Sequence, residues 1–259
     1  MRSMPCLLTS VPAPLPAPAH LRRVRVELAD GAQTTVHVAR HPRATTDLRV
    51  VRLRRPQPLA GWCQRNDAPE ALVGGFYARP HGTPLGELRT RGVERRHVPF
   101  DAPWGGVRAC VLVAGGEVTI ARRDALPAQP RGDLLQAGPL LVRDGTVIGG
   151  DDEGFSAGAR QFDADITAGR YPRAALGVAA DHLLALACDG RADGEAGLSL
   201  AELAEVLVAL GARHALNLDG GGSSSLVCGG ELCNVAREKH GVELPGGRAI
   251  STALLFGAR

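Results

Sequence analysis

Aromatic residues make up only 3% of the 259 positions, and lysine occurs once, at Lys239. With few rings for a core and with 33 Gly and 18 Pro to turn the chain, many short strands joined by tight turns fit better than a helical bundle. No uninterrupted apolar run approaches the roughly 18 residues of a membrane span, so a soluble chain without such a span is expected. The six cysteines (Cys6, Cys63, Cys110, Cys188, Cys228 and Cys233) form no C-x-x-C pair and no zinc spacing, so neither a disulfide framework nor a zinc ribbon is readable. Cys110 and Cys188 sit in the apolar runs VRACVLV and HLLALAC and read as buried, inert thiols. A basic stripe is lacking too: the formal charge is +3 and the arginines are scattered along the chain. That balance argues against a nucleic-acid partner and suits a small anionic substrate. Arg in place of Lys reads first as composition and second as phosphate-binding chemistry.

What the chain does have is alternation. RVRVEL, an Asp30-Gly31 turn and TTVHVA predict a half-buried hairpin, and DLRVVRL repeats the pattern. Further strands are predicted at ALVGGFY (71–77), VRACVLV (107–113), GPLLVRDGTVI (138–148), RAALGVAA (173–180), HLLALACD (182–189), HALNLD and RAISTALLF. One helix is clear from Ser199 to about Leu210, where Leu200, Leu203, Ala204, Leu207 and Leu210 recur at helical spacing. Ser199 and Glu202 form a capping-box pair and Gly211 closes the helix. The expected fold class is therefore α+β: a β-rich single domain of mixed or antiparallel sheet with one or two amphipathic helices. Residues 1–20, with VPAPLPAPA at 11–19, read as an extended Pro-rich lead-in, and 21–259 as the domain. Prolines interrupt the early apolar patch and weaken a signal-peptide reading, which leaves the compartment open.

Of five Asp-Gly pairs, those at Asp30 and Asp144 lie between alternating strands and read as turns. Asp189 and Asp219 instead end strands and open long loops, where sheet proteins place reactive groups. In HALNLD, alternation puts Asn217 and Asp219 on one face and Leu216 and Leu218 on the other. Gly220, Gly221 and Gly222 would let backbone approach a ligand closely, and Ser223, Ser224 and Ser225 add hydroxyl donors. No lysine follows as a P-loop needs, and Ser225 stands where a nucleophile elbow needs glycine. His81, His182 and His214 stand alone and read as surface or packed residues. In the hairpin SLVCGGELCNV a Gly229-Gly230 turn sets Cys228 opposite Glu231 and Cys233 opposite Leu226, a diagonal pair for which no disulfide is expected.

The order GGFY (74–77), QAGPLLVRDG (136–145), YPRAALGVAADHLLALACDGR (171–191), GLSLAELAEVLVALGARHALNLDGGGSSSLV (197–227) and GRAISTALLF (247–256) resembles the phosphodiester glycosidase family. The resemblance runs from about residue 70 onward, and NLDGGGSS is its most specific part. It implies a hydrolase that cleaves the anomeric C–O bond of a sugar-1-phosphodiester, releasing free sugar and a phosphate monoester. It also implies Asp219 and Asp189 as the catalytic carboxylates and Arg173, Arg191 and Arg248 as substrate ligands. Asn217, Gly220, Gly221, Gly222, Ser223 and Ser224, with Gly74 and Gly75, would line the substrate. Glycoside cleavage ordinarily uses two carboxylates at an oxocarbenium-like centre. A departing phosphate monoester is a weak base, so arginine can replace part of the acid's role. The partner implied is a small-molecule or glycan phosphodiester, with no cofactor and no metal. The chain departs from the family at Val73 and Ser251, where Asn is usual, which bears on the sugar taken and on activity. Two other readings are a catalytically impaired glycan-phosphodiester binder and a metal-dependent phosphodiesterase using Asp151, Asp152 and Glu153. That acidic run reads more simply as a solvated loop.

Overall fold

The computed structural model describes residues 20–102, 104–148 and 169–259, so most of the Pro-rich lead-in and the acidic run at 151–153 lie outside it. The predicted first hairpin forms between His20–Glu27 and Gln33–Pro42, with Val24 opposite Val36. It opens a seven-stranded sheet continued by His182–Cys188, Arg173–Val178, His214–Asn217, Leu140–Arg143 and Thr146–Val147. A five-stranded sheet is ordered Glu117–Arg122, Ala109–Ala114, Asp133–Gln136, Leu88–Thr90, Val93–Glu94. Another is ordered Glu231–Leu232, Leu226–Cys228, Ala71–Val73, Ile250–Ala258, Thr46–Gln57. The ladders of all three are antiparallel, which narrows the expected mixed or antiparallel sheet to the latter. The parallel contact among the described residues is an isolated bridge between Leu85 and Val98. The architecture is β-rich α+β, in one domain.

The large sheet is covered on both faces, which explains why its strands read as continuous apolar runs. In Arg173–Val178 and His182–Cys188, Ala174, Leu176, Val178, Leu183, Ala185 and Ala187 enter the core shared with the smaller sheets. Their neighbours Ala175, Leu184, Leu186 and Cys188 pack on the other side against Leu200, Leu203, Ala204 and Leu207. A period of two thus feeds two cores from one sheet. The covering helix spans Leu200–Ala209 with its capping box formed: Ser199 Oγ accepts from Glu202 N and Ser199 N donates to Glu202 Oε2 at 2.8 Å. Gly211 takes φ +93, the left-handed C′ position expected of it.

The structure also contains elements that periodicity did not mark: strands Glu117–Arg122, Asp133–Gln136 and Leu88–Thr90, and helices Leu59–Arg65 and Trp104–Val107. These helices have seven and four residues, too short for a repeat of 3.6 to register. ALVGGFY is strand at Ala71–Val73 and again from Tyr77, with the stretch 74–76 outside any ladder, and HALNLD leaves its ladder at Asn217. Leu226–Cys228 and Glu231–Leu232 pair in the predicted register, Cys228 opposite Glu231, with Cys233 N donating to Leu226 O at 2.8 Å. Both thiols are free.

Candidate active site

Where the strand His214–Asn217 ends, the chain passes from one sheet to another. Leu218 N donates to Ala174 O at 2.9 Å in the large sheet, and Asp219 N donates to Gly74 O at 3.0 Å, just past Ala71–Val73. Gly74 and Gly75 are anchored in turn by the last strand, Gly74 N to Thr252 O and Gly75 N to Thr252 Oγ1, each at 2.9 Å. Asp219 therefore sits at a seam clamped from both sides. Its carboxylate is buried, and Oδ1 accepts from Gly220 N at 2.9 Å. Removal from water pushes its pKa from 3.8 to about 6. Ser223, the Gly220 N–H and the charges of Arg248 and Arg79 oppose that shift only in part.

The glycine loop is passed closely by two guanidinium groups. A Cβ on Gly221 would lie 3.3 Å from Arg191 Nη1, and one on Gly222 would lie 3.1 Å from Arg248 Nη2 and 2.9 Å from Leu244 Cδ1. Gly221 also has φ +61, and this backbone conformation calls for glycine there. Gly220 and Gly221 spend their N–H groups inside the protein, on Asp219 Oδ1 and on Pro172 O at 2.8 Å. Positive charge at the loop thus comes from side chains more than from these expected backbone donors. Arg191 donates to Arg237 O at 3.2 Å and lies over the Tyr171 ring at 5.3 Å. Arg248 forms a two-point pair with Glu238, and the pair holds Glu238 below the usual carboxylate range.

Other predicted residues are placed less openly. Arg173 is buried, donates to Leu198 O at 2.7 Å and Gly169 O at 3.1 Å, and lies 5.8 Å from the Tyr171 ring centre. Burial pulls its pKa down to about 10. Asn217 is buried, with Nδ2 donating to Leu218 O at 2.9 Å, while Oδ1 has no hydrogen-bond partner among the described residues. Ser223, Ser224 and Ser225 are fully buried, and their hydroxyls make no hydrogen bond of ordinary geometry among those residues. The Ser223 hydroxyl nonetheless lies close enough to Asp219 to favour its charged form.

Asp189 has partners of its own. Its Oδ2 lies 3.0 Å from His37 Nε2, and Oδ1 accepts from Val235 N at 2.7 Å. The adjacent Asn234 accepts from Leu226 N and donates to Ser224 O, each at 2.9 Å. Asp189 thus connects to the serine end of the loop through the backbone at 234–235, and no hydrogen bond joins the two aspartates. Sequence reading passed over His37, Arg79, Tyr171 and Glu238. Tyr171 and His37 stood within quoted segments, whereas Arg79 and Glu238 carried no local signal. Among the described residues no cluster of three or more His, Cys, Asp or Glu is placed to hold a metal.

A sequence model of the phosphodiester glycosidase family matches residues 66–257, spanning every segment just described except His37. The chain belongs to the phosphodiester glycosidase family. Its fold is similar to the zebrafish N-acetylglucosamine-1-phosphodiester alpha-N-acetylglucosaminidase catalytic domain auto-inhibited by its pro-peptide: TM-score 0.70, 20% identity, 93% of this chain and 83% of that one. A protein from Synechocystis aligns with TM-score 0.62 at 22% identity over 92% of this chain and 62% of that one. A protein of Burkholderia pseudomallei aligns with TM-score 0.60 at 16% identity over 87% of this chain and 74% of that one. No curated protein matches the chain by sequence. The two departures from the phosphodiester glycosidase pattern have different settings. Val73 is a core residue with no exposure, so its side chain is committed to packing. Ser251 Oγ donates to Gly82 O at 2.6 Å, holding the loop that follows Arg79. No described helix is long and apolar enough to cross a membrane.

Proposed function

We propose that this phosphodiester glycosidase-family chain hydrolyses the anomeric C–O bond of a sugar-1-phosphodiester, releasing free sugar and a phosphate monoester. The observation carrying the reading is Asp219: a buried carboxylate with pKa near 6, beside a glycine loop flanked by Arg191 and Arg248. At neutral pH such a group is ionised yet poorly solvated, which suits it to attack the anomeric carbon or to activate water there. Arg248 and Arg191 offer charge to the phosphodiester, and Arg173 braces the wall behind them through the Leu198 and Gly169 carbonyls. The leaving phosphate monoester is a weak base, so stabilising its charge substitutes for much of the protonation that an alcohol would need. Asp189, with both oxygens engaged, acts as a positioning residue under the serine end of the loop. Gly74 and Gly75 line the site through their backbone.

Hydrolysis of a sugar-1-phosphodiester in heavy-oxygen water tests the bond assignment. The label is expected in the released sugar, whether configuration is retained or inverted, because water finally attacks carbon in either course. Label in the phosphate monoester would overturn the reading, and loss of turnover on chelation would redirect it toward metal-assisted attack at phosphorus.

A further inference from the structure

Arginines from two separate stretches of chain, 49–54 and 91–95, converge in space on the far edge of the sheet that ends at Thr46–Gln57. A trough of about 870 Å³ is lined there by Arg49, Arg52, Arg54, Arg91 and Arg95, with Trp62 among the other walls. Strict alternation along this strand would bury either Arg49 or Arg52. Instead the burial pattern slips by one position at Val51–Arg52, leaving Leu53 buried and Arg49, Arg52 and Arg54 all exposed. Arg49 pairs with Asp47 at 2.6 Å, and Arg95 donates to Thr90 Oγ1 at 2.5 Å. The side chains of Arg52, Arg54 and Arg91 make no ion pair or hydrogen bond among the described residues. The carboxylate in the lining, Asp133, accepts from the backbone N–H groups of Val50 and Arg91 and keeps its charge, so against five arginines it leaves the trough with an excess of positive charge.

Unpaired guanidinium groups, those of Arg52 and Arg54 on one strand and that of Arg91 in the turn after Leu88–Thr90, match repeated anionic groups, and a half-buried indole offers the flat apolar face on which pyranose C–H groups pack. We propose that this trough binds an acidic polysaccharide, its anionic groups paired with Arg52, Arg54 and Arg91 and a sugar ring lying against Trp62. The trough shares no lining residue with the Asp219 loop, and the proposal does not rest on the hydrolytic reading.

Trp62 can report binding in a Trp104→Phe background, since these are the two tryptophans. Polygalacturonate is expected to change Trp62 emission and to bind more weakly as salt is raised. The double variant Arg52→Gln/Arg54→Gln should lose at least about tenfold in affinity, because charge-assisted pairs are removed. Its unfolding midpoint should be unchanged, both side chains being exposed. Neutral dextran should not bind. The proposal is overturned if polygalacturonate does not bind, binds without altering Trp62 emission, or binds the double variant equally well. It is also overturned if single-stranded DNA binds as tightly with the same Trp62 response, which would mark a general polyanion surface.

Discussion

Asp219 owes its character to position more than to identity. An aspartate in water ionises near 3.8, and here burial lifts it to about 6 although Arg248 and Arg79 pull the other way. Replacing it with Asn keeps the shape and the Gly220 contact to Oδ1 while deleting the charge. Turnover of a sugar-1-phosphodiester by Asp219→Asn is expected to fall at least about a hundredfold, the scale of a lost acid-base or charge-stabilising group. Near-normal turnover would remove Asp219 from the mechanism. At this scale the NLDGGGSSS run was legible through its resemblance to the phosphodiester glycosidase family, since three glycines after a strand-end carboxylate would by themselves fit a flexible polar turn equally well. The partners of its neighbours were not. Glu238 meets Arg248 from ten positions away, and His37 meets Asp189 from the other end of the chain. Alternation assigns a side chain to a face and says nothing of which residue lies opposite.

Among elements, the helix Leu200–Ala209 shows local rules and packing in agreement. Its apolar stripe meets the large sheet, and Ser199 with Glu202 closes its first turn. Ser199→Ala should cost about 1 kcal/mol, the usual worth of an N-cap. Urea unfolding would show it as a lower midpoint at constant slope, and an unchanged midpoint would mean that packing alone holds this end. The strand Thr46–Gln57 shows the opposite case. Its sequence alternates, yet its inward set changes phase at Val51–Arg52, where the ladder with Ile250–Ala258 also begins to shift register. Such a slip gathers arginines that composition had presented as scattered.

The whole molecule bears the cost of keeping Asp219 out of water. Because its folded-state pKa is raised, the native protein binds more protons than the unfolded chain between about pH 3.8 and 6. Stability from this group therefore declines as pH rises through that window, and the penalty is complete above about 6. The difference in unfolding free energy between Asp219→Asn and the native protein should favour the variant at pH 7. It should shrink on acidification to pH 4 by an amount on the order of 2–3 kcal/mol. A difference that does not vary with pH would show that Asp219 is not desolvated. The β-rich α+β class, most long strands, the capped helix and the site loop were determined by sequence alone, because each rests on neighbours within a few positions. The tertiary structure decided the seam that clamps Asp219 between two sheets and the partners Glu238 and His37 that meet Arg248 and Asp189. Those depend on which strands pair across long stretches of chain, and local alternation is compatible with many such pairings.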